Sequence, residues 1–129
     1  MDKNYKIEVL EDVSGLGKVK GFKVAGVGCD IRNKNDLSRL DTALVVSDTL
    51  ATASGVFTTN DVKAAPVITD MRHLEASSKV KAIIANSGNA NACTGDRGMR
   101  DAEDTCKFVG ELVGAKPEQV LVCSTGRIG

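Results

Sequence analysis

A single amphipathic helix framed by two apolar runs most constrains what this chain can become. Met99, Ala102, Cys106, Val109 and Val113 recur at three- and four-residue steps and share one face, while Arg97, Asp101, Asp104 and Lys107 fall elsewhere. Asp96 stands where an N-cap is wanted and Gly114 where a C-cap is wanted, which predicts a helix over 97–113. Residues 80–85 before it and 120–123 after it are apolar and of strand length, and residues 116–119 make a turn. Strand, loop, helix and strand in that order point to an α/β protein of the mixed α+β kind.

Upstream, residues 22–29 predict a strand whose Gly26 and Gly28 mark a bulge or a close backbone approach. Residues 30–41 read as a polar loop with room for a helical turn. Residues 42–47 are continuously apolar, so their strand is expected to be buried on both faces. Residues 56–59 form a further β-rich segment. Residues 67–69 follow Pro66, which predicts an extended piece at a sheet edge, and residues 71–78 predict a helical turn or two. Residues 7–10 alternate as a short strand or an unstructured lead-in would, and 14–18 read as a turn-rich linker. The organisation expected is a lead-in and linker over 1–19 and one folded unit over 20–129.

Composition narrows the function classes. Seventeen basic residues balance seventeen acidic ones, which argues against nucleic acid or an anionic membrane as the main partner. No run approaches the roughly 18 apolar residues of a membrane helix, and the first residues lack the apolar core of a signal peptide, so a cytoplasmic address is the default expectation. Aromatic residues make up 3% and Trp is absent, so the core must be built from Val, Ala, Leu and Ile. Cys29, Cys93, Cys106 and Cys123 form no C-x-x-C pair, and are expected to be buried small hydrophobes in a reducing compartment. The lone histidine, His73, is expected at a surface or in a helical turn.

Two small, polar, glycine-bearing motifs follow the apolar runs. Asn86-Ser87-Gly88-Asn89-Ala90-Asn91-Ala92-Cys93-Thr94-Gly95 is expected to be the loop that leads into the helix. It reads either as a ligand-facing loop near the positive end of the helix dipole or as a set of turn-forming side chains. It has neither the phosphate-binding Gly-Lys-Ser/Thr ending nor a G-x-G-x-x-G spacing. Ser124-Thr125-Gly126 follows the last apolar run. A Thr hydroxyl beside a Gly amide can aim two donors at one point, as an oxyanion hole requires, and the same residues also suit a plain strand-to-loop turn.

Taken with residues 20–27, 42–48, 51–60 and 64–67, these two motifs, extended through Arg127-Ile128-Gly129, resemble the ornithine acetyltransferase family, also called glutamate N-acetyltransferase. The likeness covers about residues 20–129, the N-terminal part of that family's α chain. It implies mixed β-sheet layers flanked by helices in an N-terminal-nucleophile architecture. It also implies self-cleavage before a threonine, which then takes acetyl from N-acetylornithine and passes it to glutamate in arginine biosynthesis. Some members also accept acetyl-CoA, and no cofactor or metal is implied. The partner is the β chain that carries the threonine, in an assembly of two α and two β chains.

By the same likeness, Thr125 and Gly126 form the oxyanion hole. Asn86 and Asn89 are candidates for shaping the site. Arg127 stands where the family commonly carries Val or Ile, and is expected to bear on substrate preference if it enters the site. The Lys-Gly-Ala-Thr cleavage motif is expected beyond Gly129, so these 129 residues alone are expected to be inactive. Two other readings stay open: a non-catalytic α/β binding module, and a related self-processing amidohydrolase.

Overall fold

Apolar alternation along four segments makes one sheet, in a computed structural model that describes residues 15–129. The expectation for residues 7–10 lies outside these. The strands are β1 (Phe22–Val27), β2 (Thr42–Thr52), β3 (Lys79–Asn89) and β4 (Val120–Arg127), in the order β1-β2-β3-β4. The first two pairings are antiparallel and β3 pairs with β4 in parallel, so the sheet is mixed, as expected. A parallel neighbour needs a long crossover. Helix α2 (Gly95–Val113) supplies it.

The α2 helix begins at Gly95, two residues before the expected start at 97. Its N-cap position is Thr94 rather than Asp96, which sits in the first turn, where a carboxylate favours the helix dipole. Gly114 ends it in the left-handed conformation, φ 67°, as expected. Ala102, Cys106 and Val109 pack against Ala82, Val120 and Val122 of the sheet, with Leu44, Val46 and Ile84 around them. This is the core.

Three expectations are corrected. Residues 67–69 are not an extended edge, because they lie inside a second helix, α1 (Ala65–Ala76). Pro66 falls in its first turn, where a missing N–H costs nothing and the fixed φ suits a helix. Residues 56–59 form no strand, and the Val56 side chain is fully exposed. The β2 strand is not buried on both faces. Leu44 and Val46 meet the helices, whereas Val45 is only half-buried on a face that neither helix covers.

The α1 helix also closes the outer edge of β4. Asp70 accepts the Val122 amide at 2.8 Å, and His73 Nδ1 donates to the Val120 carbonyl at 2.8 Å. An unpaired strand edge is thereby capped by side chains. His73 is the helical histidine expected, although part-buried rather than at the surface. Gly28 is the close backbone approach foreseen: a Cβ there would fall on the Leu37 carbonyl oxygen.

Candidate functional site

Both polar motifs begin within strands rather than after them. The β3 strand runs on to Asn89 and β4 to Arg127, four residues past each apolar run, because the two continue to pair. Asn86 stands opposite Ser124, Ser87 opposite Thr125, Gly88 opposite Gly126 and Asn89 opposite Arg127. Gly88 (φ 126°) and Gly126 (φ 137°) both adopt a backbone that other residues rarely take. A Cβ on Gly126 would collide with the backbone of Gly88, so only glycine fits at this crossing of strands.

The asparagines knit this corner together. Ser124 Oγ donates to Asn86 Oδ1 at 2.6 Å, and Asn86 Nδ2 donates to the Asn89 carbonyl at 2.8 Å. Asn89 Oδ1 accepts the Asn91 amide at 2.8 Å. Asn91 adopts φ 49°, donates to the Gly98 carbonyl at 2.9 Å and accepts the Thr94 hydroxyl at 2.7 Å. Side-chain-to-backbone bonding and left-handed turns are therefore what most of the Asn-rich segment supplies. Asn89 and Asn91 also line an open cavity of about 770 Å³ beside the first turn of α2.

Alternation separates the expected site residues. Asn86 and Ser124 share the face of Ile84 and Val122, toward the helices, whereas Thr125 is exposed and shares the face of Leu121 and Cys123, which no helix covers. The Thr125 hydroxyl has no hydrogen-bond partner among the described residues. Arg127 lines the 770 Å³ cavity together with Gly126. The structure thus brings Asn89, Gly126 and Arg127 to one cavity, with Asn86 bonded to Asn89, but leaves Thr125 apart from the asparagines on the other face.

Sequence reading missed two carboxylates that shape the surroundings. Asp41, buried at the start of β2, accepts the Cys29 amide at 2.7 Å and the Ile31 amide at 2.8 Å. Those two bonds hold its carboxyl below the usual range. Its carbonyl accepts the Ser87 amide at 2.8 Å, so one residue ties the 28–31 turn to the end of β3. Asp70 is the second: burial pushes it up to about 6, against the pull of the Val122 amide and of His73. A signal for Asp41 was its place directly before an apolar run. Asp70 had none while its segment read as a strand.

A mixed sheet with two helices on one face, and a glycine crossing at its parallel pair, defines an α/β scaffold also present in solved biosynthetic enzymes. Ornithine acetyltransferase from Mycobacterium tuberculosis, solved with ornithine, superposes with a TM-score of 0.78 at 40% identity, over 85% of this chain and 58% of that one. The arginine biosynthesis bifunctional protein of Bacillus halodurans gives the same TM-score at 36% identity, over 85% of this chain and 56% of that one.

The sequence model of the ArgJ family matches residues 23–129, and the chain belongs to that family. The arginine biosynthesis bifunctional protein of Geobacter sulfurreducens is 52% identical over 111 residues, which are 86% of this chain and 27% of that protein. The protein of the same description from Caldanaerobacter subterraneus is 52% identical over 110 residues. The chain therefore spans about a quarter of the length of these curated relatives.

Proposed function

We propose that this chain is the scaffold and oxyanion-hole segment of a self-processing acetyltransferase. That enzyme moves acetyl from N-acetylornithine to glutamate in arginine biosynthesis. The observation that carries the proposal is Thr125, exposed with an unpartnered hydroxyl beside Gly126 at the end of β4. Alternation along β4 turns the Val122 amide outward to Asp70 and the Arg127 carbonyl inward to the Ala90 amide. The Gly126 amide then lies on the same outer edge as that of Val122, past the reach of Asp70 and His73. Hydroxyl and amide are adjacent donors at an uncovered corner of the sheet.

The chemistry follows. A threonine Oγ at the start of a β chain attacks the acetyl carbonyl, and its proton passes to the departing amine of ornithine. The carbonyl oxygen becomes an oxyanion, which accepts hydrogen bonds from Thr125 Oγ and the Gly126 amide. Collapse releases ornithine and leaves an acetyl ester on the enzyme. The glutamate amine attacks that ester through a second tetrahedral species in the same hole. Acetyl-CoA can enter as an alternative donor by the same steps. No step calls for a metal or a bound cofactor. The proposed assembly pairs two such α segments with two β chains in the cytoplasm. Among the described residues, no helix is long and apolar enough to cross a membrane.

The test uses the full-length protein. Intact-mass spectrometry is expected to find a second chain that begins with threonine. Thr125→Ala is expected to lower kcat about a hundredfold, the cost typical of one lost oxyanion donor, with little change in KM. A variant within twofold of wild type would remove Thr125 from the mechanism. A single uncleaved chain without transfer activity would favour a binding module, and acetyl delivered to water rather than glutamate would favour an amidohydrolase.

A further inference from the structure

The Asn-rich motif carries one hydroxyl outside the bonding network of its asparagines. Ser87 stands opposite Thr125 in the parallel pairing of β3 with β4. Opposite residues of a ladder point to the same face. Ser87 therefore shares the uncovered face with Thr125, away from Asn86 and Ser124. Ser87 is half-buried and Thr125 exposed. Neither hydroxyl has a hydrogen-bond partner among the described residues.

The preceding pair of this ladder, on the opposite face, shows that side chains reach across it. Ser124 Oγ donates to Asn86 Oδ1 at 2.6 Å. Paired strands lie about 4.8 Å apart, and two hydroxyls turned toward each other close that gap to hydrogen-bond distance. The backbone of Ser87 is also held. Its amide donates to the Asp41 carbonyl at 2.8 Å, and the buried Asp41 carboxylate in turn accepts the Cys29 and Ile31 amides. One residue further on, Gly88 and Gly126 cross with no room for a Cβ, which keeps the strands close. The neighbouring pair on the Thr125 face is Ala85 opposite Cys123, whose methyl and thiol compete poorly for a hydroxyl.

We propose, on the acetyl-transfer reading, that Ser87 is a positioning residue for the oxyanion hole: its hydroxyl donates to Thr125 Oγ and points the Thr125 proton at the reacting carbonyl oxygen. A threonine hydroxyl has one proton, which serves the oxyanion only when it is not engaged elsewhere. A donor behind Thr125 Oγ turns that proton outward and polarises the O–H, as chained hydrogen bonds do. The same reading brings further chain over this face, and a hydroxyl cut off from water there needs a partner within the protein. Ser87 is the neighbour placed in register to supply it.

The full-length protein tests it, with rates normalised to the chain that begins with threonine. Ser87→Ala is expected to lower kcat about tenfold with KM unchanged, as loss of one neutral hydrogen bond in the transition state would. In a Thr125→Ala background the same change is expected to cost less than about twofold, because the hydroxyl it orients is gone. Ser87→Thr keeps the hydroxyl and is expected to restore kcat to within about threefold of wild type. A loss that persists undiminished in the Thr125→Ala background would overturn the proposal, as would a change confined to KM or to the urea midpoint. A hundredfold cost of Thr125→Ala beside a Ser87→Ala variant as fast as wild type would leave the oxyanion hole standing and reject the role of Ser87. Thr125→Ala without effect would instead reject the acetyl-transfer reading, and this inference with it. A crystal structure of the full-length protein gives a check that needs no activity, should Ser87→Ala fail to fold or mature. Ser87 Oγ is expected within about 3.0 Å of Thr125 Oγ, and a separation beyond about 3.5 Å would overturn the proposal.

Discussion

Asp70 shows how a single residue can serve a fold and tax it. Its carboxylate accepts the Val122 amide and so helps to close the β4 edge, yet burial holds its pKa up at about 6 from 3.8. A folded-state value above the unfolded one means that the folded protein favours the proton. The stabilising contribution of protonation is therefore complete below pH 3.8 and is lost as pH rises through about 6. The difference amounts to about 3 kcal/mol. Among the described residues, His73 and the thiols of Cys106 and Cys123 face it. Asp70→Asn keeps an acceptor oxygen for Val122 and removes the charge. The variant is expected to resist more urea than wild type at pH 7.5, and its stability is expected to lose most of the fall between pH 4 and 6. Equal midpoints and equal slopes for the two proteins would show that the Asp70 charge costs nothing.

At the scale of elements, the legibility of the sequence follows the physics of each segment. The α2 helix was readable because its apolar positions keep a helical period and it buries one stripe. The α1 helix was not, because Val67, Ile68 and Thr69 are β-branched and follow a proline. Tertiary contact decides that case, since the helix buries Ala65, Thr69 and Asp70 and so covers the β4 edge. The ends of β3 and β4 were misread as loops because their residues are polar. What keeps them extended is pairing with each other, which no single segment reveals. The site motifs themselves stood out by composition, whereas the face on which Thr125 lies required the register. The cysteines divide the same way. Only Cys106 is buried, on the α2 stripe, and burial pushes its thiol up to about 12, while Cys29, Cys93 and Cys123 are exposed. Cys106 is expected to stay unmodified by iodoacetamide in native protein and to react only after denaturation. Peptide mapping of the alkylated native protein would disprove its place in the core by finding it labelled.

The whole molecule is asymmetric. Two helices cover one side of the sheet, and the other side presents Val24, Val45, Ile83 and Leu121 in register across all four strands. Val24 is 41% exposed and Ile83 37% exposed. A sheet with one apolar face uncovered is half of a layered arrangement, since apolar strand faces are stable only when packed against a further layer. The curated relatives are about four times as long as the matched segment, which leaves ample chain to supply that layer. Thr125 lies on this same face, so whatever packs there would also bring reacting groups to the proposed oxyanion hole. On the proposed reading, Ile83 behaves as a core residue in the complete enzyme despite its exposure in these 129 residues. Ile83→Lys is expected to cost at least about 2 kcal/mol there, because it would bury an unpaired ammonium. A surface substitution costs within about 0.5 kcal/mol. Urea unfolding of the full-length variant separates the two values, and a change within the surface range would mean that this face meets water in the working protein.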